Sequence, residues 1–256
     1  MRIAGVEIKT RIGLGTNRLT NTPQNRALIQ AALDLGVQMI DTAHLYTGGQ
    51  SEETIGIALS SLPAPPASSV VATKGGFGGA GHGRPEMLRA EIEQSLQRLR
   101  TERIALYYLH RVDPKTPIEE SLSAIKEYRD SGKIMDVGVS EVTVDHIERA
   151  RRVVPIVAVQ NQYNLSERGS DDVVDYCERE GIVFVPFYPL EGSRGGALDG
   201  IARRHKATRE QVALAWLLKR SPVMLPIPGT LSRAHLEDNL AAQRLELTDA
   251  EFRELA

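Results

Sequence analysis

Short apolar runs alternate with longer stretches of helical periodicity from residue 12 to residue 228. The runs read as strands, with carboxyl ends near Gly15, Asp41, Lys74, His110, Ser140, Gln160, Tyr188 and Pro228. Between them, apolar residues recur at the spacing that lays one face of an α-helix on a sheet, as in Leu88, Ile92, Leu96 and Leu99, or Ile118, Leu122, Ile125 and Tyr128. Leu35-Gly36, Ser131-Gly132 and Glu180-Gly181 each put glycine where a helix must turn back into a strand. Such alternation predicts βα units building a parallel sheet. Eight units in 256 residues match a closed (β/α)8 TIM barrel, whereas a doubly wound open sheet uses fewer strands. The expected fold is therefore α/β, one barrel domain over residues 1–256. The hairpin-like segment Arg2–Lys9 is expected to close its amino-terminal end.

Composition narrows the partners. A formal net charge of -2 and a pI near 6.3 supply no bulk attraction to nucleic acid or to an anionic membrane. Cys177 is the one cysteine, so no internal disulfide forms and a reducing compartment is expected. Neither a signal-peptide core nor a run near the ~20 apolar residues of a membrane span is present, which predicts a soluble cytoplasmic protein.

In a barrel the carboxyl ends of the strands converge on one face, so Asp41, Lys74 and His110 become candidate neighbours, with Tyr46 a few residues beyond Asp41. These residue types suit carbonyl reduction. A carbonyl that accepts hydride becomes an alkoxide and needs a proton, and a tyrosine of ordinary pKa ~10 must be helped to give one. An ammonium at Lys74 would favour the phenolate, and Asp41 would hold that ammonium in place. His110 would orient the carbonyl by a hydrogen bond. Taken singly, each has an ordinary alternative: a strand-end ion pair, a loop aromatic, a satisfied buried histidine.

The four residues together resemble the catalytic tetrad of the aldo-keto reductases, and the likeness runs along almost the whole chain. It includes Gly13-Leu14-Gly15-Thr16, Ser51-Glu52-Glu53, Leu109-His110-Arg111-Val112-Asp113, Gly138-Val139-Ser140, Val159-Gln160-Asn161-Gln162-Tyr163-Asn164, Tyr188-Pro189-Leu190 and Ile227-Pro228-Gly229-Thr230, in the family's order. The resemblance implies reduction of an aldehyde or ketone by NADPH with Tyr46 as general acid, in a monomer. It implies that Ser140 and Gln160 hold the nicotinamide carboxamide and that Tyr188 stacks on the ring. It places Gly15, Thr16, Asn17, Asp41, Glu141 and Gly229 beside the cofactor, and Pro189, Leu190, Gly192 and Arg194 along the pyrophosphate. Thr230, Leu231, Arg233, His235, Asp238 and Asn239 would surround the adenosine. Arg18 and His44 join Tyr46 and His110 as expected substrate contacts.

Three positions depart from the commonest family pattern. Glu141 stands where asparagine usually follows the serine, Gly229 where lysine is frequent, and His235 where arginine often grips the adenosine phosphate. Losing a guanidinium fork weakens 2′-phosphate binding, yet Arg194 and Arg233 are near in sequence. NADP(H) is the expected cofactor, with NAD(H) possible. The variants look like bacterial and fungal branches that include pyridoxal reductases. An alternative is a barrel that binds nicotinamide as a sensor or regulatory subunit without turnover.

One motif misleads. Gly76-Phe77-Gly78-Gly79-Ala80-Gly81 spells the dinucleotide fingerprint, but Gly83 and Pro85 delay the next helix to about Glu86, so it reads instead as a loop over the substrate pocket with His82 and Arg84 as possible contacts. The histidines are scattered without ligand spacing, and no metal is expected.

Overall fold

The computed structural model describes residues 1–63, 68–192 and 195–255. β1 (Arg2–Ile3) and β2 (Val6–Glu7) form an antiparallel hairpin. Seven strands then pair in parallel, in chain order: β3 (Leu14–Gly15), β4 (Met39–Asp41), β5 (Val70–Gly75), β6 (Ile104–Leu109), β7 (Ile134–Ser140), β8 (Ile156–Gln160) and β9 (Val183–Phe184). The sheet closes through residues 223–229. Phe184 N donates to Val223 O at 2.9 Å, and on the other edge Gly13 N donates to Pro226 O at 2.9 Å and Gly15 N to Pro228 O at 3.2 Å. Pro222, Pro226 and Pro228 lack a backbone donor, so this eighth segment makes isolated bridges, Phe184 to Met224 and Gly15 to Gly229, in place of a ladder.

Helices cover the outside. They are α1 (Pro23–Asp34), α2 (Gln50–Ser60), α3 (Pro85–Leu99), α4 (Ile118–Asp130), α5 (Val144–Arg151), α6 (Asp171–Glu180), α7 (Gly196–His205), α8 (Arg209–Arg220), α9 (Arg233–Ala241) and α10 (Asp249–Glu254). The apolar faces read from the sequence are the packed ones: Leu88, Ile92, Leu96 and Leu99 of α3 and Ile118, Leu122 and Ile125 of α4 are buried in the layer between helices and sheet. Helix α3 opens at Pro85, so the glycine-rich stretch before it is a loop and no fingerprint helix. Tyr188 falls beyond the regular part of its strand. Val185 N and Phe187 N still donate to Val159 O and Asn161 O, at 2.8 and 3.2 Å, but Pro186 and Pro189 donate nothing and Tyr188 turns into the left-handed region at φ 50°.

Strand parity sorts the side chains. On β4, β5 and β6, Met39, Val70, Ala72, Leu106 and Tyr108 point into the barrel, while Ile40, Tyr107 and Leu109 face the helices. Ile3 and Ile8 of the leading segment join the inner cluster and fill the amino-terminal end. Continuing the inward register by two places each Asp41, Lys74, His110, Ser140 and Gln160 at the opposite, carboxyl-terminal rim.

Below that rim the inner packing needs a glycine. Tyr108 pairs in register with Gly138, and a Cβ at 138 would lie 2.4 Å from two carbons of the Tyr108 ring. Gly138→Ala is accordingly expected to cost about 1–3 kcal/mol of stability. Thermal unfolding reads this directly, and an unchanged Tm would show that the ring moves freely.

Candidate active site

Lys74 is fully buried, and its ammonium meets three oxygens: Asp41 Oδ1 at 2.5 Å, Thr42 O at 2.7 Å and Tyr46 Oη at 3.3 Å. An ammonium has three protons to donate, and three acceptors meet them; burial pushes the Asp41 pKa up, while the Lys74 charge and hydrogen bonds from Lys74 and Gln160 oppose that rise. Burial works against the Lys74 charge, but attraction to Asp41 and Tyr46 outweighs it and raises the pKa above the ordinary lysine value. Gln160 Nε2 donates to the second Asp41 oxygen at 2.8 Å, which completes the carboxylate. Residues from three strands and one loop thus converge as their register requires.

The loop that carries Tyr46 is fixed from behind. Ser51, in the first turn of α2, lies 2.7 Å from Thr42 Oγ1 and donates toward Thr16 O and Oγ1 at 3.0 and 2.8 Å. Thr16 Oγ1 donates to Asp41 O at 2.7 Å. Glu52, next to Ser51, accepts from Thr73 Oγ1 at 2.6 Å and from Arg98 Nη1 at 3.3 Å, while the same Nη1 donates to His44 O at 2.9 Å. The Ser51-Glu52 pair therefore ties the backbone at Asp41–His44 to the strand that carries Lys74.

His110 stands across the cleft, its ring 5.9 Å edge-on from that of Tyr46 and 5.0 Å from that of Phe77. Burial, then the charges of Lys74 and Arg111, push its pKa down to about 2. The imidazole is therefore neutral at any working pH, and its Nδ1 is buried without a protein partner. A neutral ring carries one N–H and can donate to a carbonyl without giving up a charge. Linkage follows in sign: an unfolded chain protonates this histidine below about pH 6.5, the folded one does not, so stability falls as pH drops from there toward 2. Ring nitrogen NMR is expected to show His110 unchanged between about pH 5 and pH 8, and titration inside that window would contradict this neutral state.

The cleft above these residues encloses about 580 Å³. Of the residues singled out in the sequence, Gly15, Thr16, Asn17, Arg18, Asp41, Tyr46, His110, Gln160, Tyr188, Pro189, Leu190 and Gly229 line it. Tyr188 is 48% exposed, an aromatic face offered to the cleft. Ser140 sits behind Arg111, whose Nη1 donates to its Oγ at 3.2 Å. Glu141 is turned away. Held in the left-handed region at φ 55°, it accepts from Gln162 N at 2.8 Å, capping a backbone donor.

His44 does not line the main cleft. It lines a neighbouring cavity of about 310 Å³ that shares Leu45 and Phe77 with the cleft and is also lined by Lys74, with Nε2 2.9 Å from Gln94 Oε1 and Nδ1 3.8 Å from Glu91, both on α3. Gly192 packs on Ser166, where a Cβ would meet Oγ at 1.9 Å, and does not reach the cleft; Arg194 lies outside the described residues. Thr230, Leu231, Arg233, His235, Asp238 and Asn239 gather at and just before α9, beyond the cleft; Arg233 pairs with Glu237 at 2.8 Å, and His235 and Asp238 are exposed. In the glycine-rich loop it is Phe77 that meets the cleft. His82 lines the second cavity, and Arg84 pairs with Glu86 on the surface. The loop is pinned by Asp113 Oδ2, which accepts from Gly81 N and Gly83 N at 2.8 and 2.9 Å.

Sequence reading missed Leu45, Phe77, Arg111, Phe187, Glu191, Ile227 and Pro228 as cleft residues. A lone aromatic among glycines and a cation directly after His110 were the available signals. Cys177 is fully buried, and burial raises its thiol to about 12, which leaves it unreactive. Among the described residues no cluster suits a metal ion, and no helix is long and apolar enough to cross a membrane.

A parallel barrel with a lysine, an aspartate, a tyrosine and a neutral histidine at its carboxyl rim has the architecture of a nicotinamide-dependent oxidoreductase. Comparison with known proteins gives the class its family: residues 11–256 match the aldo/keto reductase family, and the chain belongs to it. An uncharacterized oxidoreductase of Schizosaccharomyces pombe is 38% identical over 270 residues, covering 98% of this chain and 87% of the relative. Pyridoxine 4-dehydrogenase of Escherichia coli is 33% identical over 268 residues, covering 96% and 93%. Among solved structures, a thermostable aldo-keto reductase in complex with the inhibitor epalrestat superposes with a TM-score of 0.89 at 31% identity, covering 100% of this chain and 97% of that one. An aldo/keto reductase from Klebsiella pneumoniae in complex with NADP and acetate gives 0.84 at 27% identity, covering 96% and 89%.

Proposed function

We propose that residues 1–256 act as one barrel, as a monomer, that reduces an aldehyde or ketone to an alcohol with NADPH, Tyr46 donating the proton. The carrying observation is the Lys74 ammonium 3.3 Å from Tyr46 Oη, with its other two protons committed to Asp41 and Thr42. A positive charge held there stabilises the phenolate that remains once the proton has gone. His110 donates its N–H to the carbonyl oxygen and directs it toward the Tyr46 hydroxyl.

The cleft suits a nicotinamide. Tyr188 and Phe187 present aromatic faces, Gln160 sets an amide on the floor, and His110 Nδ1 is a buried polar atom without a protein partner. When bound, the reduced ring supplies the hydride. Ser140 and Gln160 would hold its carboxamide, Ser140 being kept in place by Arg111. Pro189 and Leu190 would follow the pyrophosphate, and the segment from Thr230 into α9 the adenosine. NADP(H) is preferred, with NAD(H) accepted, since the Klebsiella relative was crystallised with NADP. Gly229 and His235, where the family often carries cations, make the preference modest.

The test is loss of nicotinamide absorbance with a panel of aldehydes that includes pyridoxal, simple aromatic aldehydes and sugar-derived carbonyls, run with NADPH and with NADH. Turnover with a higher kcat/KM for NADPH is expected. Cofactor binding without consumption across the panel would favour a sensor over a reductase.

A further inference from the structure

Arg111 follows the histidine of the site and lines the cleft half-buried. Its guanidinium lies 5.3 Å from the ring centroid of Phe77 and 5.7 Å from that of Phe187. Nη1 donates to His110 O at 2.7 Å and to Ser140 Oγ at 3.2 Å. Two rings and two oxygens therefore fix the fork. Among the described residues no carboxylate pairs with it, and Nε and Nη2 donate to no protein acceptor. A cation held still, partly out of water and without a counter-charge, is costly unless a ligand supplies one.

We propose, resting on the reading of this site as a carbonyl reductase, that Arg111 is its specificity residue and selects aldehydes or ketones that carry a carboxylate. The carboxylate meets the open Nε and Nη2 edge of the guanidinium, while Tyr46 and His110 engage the carbonyl oxygen. Phe77 and Phe187 contact the apolar stretch between the two ends and keep water from the charged bond, which strengthens it. A planar fork fits a carboxylate with two parallel bonds, something a lysine at this position could not do. Glu191, exposed on the rim of the same cleft, accepts from Gln162 Nε2 at 3.3 Å and forms no ion pair with Arg111.

The experiment compares steady-state reduction of 4-formylbenzoate and of its methyl ester by the full chain with NADPH. The two substrates share ring and aldehyde and differ by one charge. The acid is expected to have a kcat/KM at least ~10-fold above the ester, mostly through KM, the low end of what a charge-assisted guanidinium–carboxylate pair provides. Raised ionic strength is expected to narrow that ratio. Arg111→Gln should bring it close to unity, and Arg111→Lys should restore part of it. Equal constants for acid and ester would overturn the assignment. So would an acid preference that survives in Arg111→Gln, or an equal loss for both substrates, which would assign Arg111 to Ser140 alone. Faster turnover of 4-formylphenyl phosphate than of the carboxylate would overturn the choice of anion. Failure to oxidise NADPH with any of these aldehydes is a different result, which removes the reductase reading itself.

Discussion

Tyr46→Phe is expected to lower the rate of carbonyl reduction by at least ~100-fold, the low end of what a positioned general acid contributes, with affinity for NADPH nearly unchanged. The substitution removes one oxygen and leaves the ring, so the contact with His110 and the position of the loop are kept. Lys74 loses the weakest of its three acceptors, at 3.3 Å, and retains Asp41 and Thr42. What disappears is the proton. Cofactor affinity by fluorescence titration and turnover by nicotinamide absorbance separate the two effects. A near-normal rate would place the acid elsewhere.

Lys74→Met is expected to abolish turnover for a different reason and to damage the fold as well. The ammonium that stabilises the Tyr46 phenolate is gone, and the Asp41 carboxylate, 1% exposed, is left buried without its partner. Breaking a buried pair on one side costs about 3–5 kcal/mol. The double variant Asp41→Asn/Lys74→Met removes both charges and is expected to recover much of that stability while remaining inactive. Activity regained along with stability would show that Lys74 serves the fold alone.

The catalytic rim was legible because strand register is arithmetic. Asp41, Lys74 and His110 each sit at the end of an apolar run, with parity that continues the inward face, and a parallel barrel brings every such end to one rim. The helices were equally plain, since Leu88 to Leu99 repeats at the helical period. Side-chain direction in loops was not. His44 lies two residues before Tyr46, yet it turns to Gln94 because its peptide is bound on both sides, N to Lys74 O and O to Arg98, and no one-dimensional pattern carries that constraint. Phe77 and Arg111 reach the cleft through loop conformations set by Asp113, Ser140 and positive-φ glycines, contacts distant in sequence. The last barrel segment shows the reverse case: its prolines announce that it cannot form a regular ladder, although its place in the closed sheet was evident from the count of units.

The most direct measurement is a single-turnover experiment in which the protein, loaded with one equivalent of NADPH, is mixed with excess 4-formylbenzoate while nicotinamide absorbance and alcohol product are followed together. Oxidation of NADPH matched one for one by alcohol, in the wild-type chain and not in Tyr46→Phe, is the predicted result. Wild-type protein that holds NADPH tightly and yields no alcohol, or a Tyr46→Phe variant that turns over at the same rate, would contradict it.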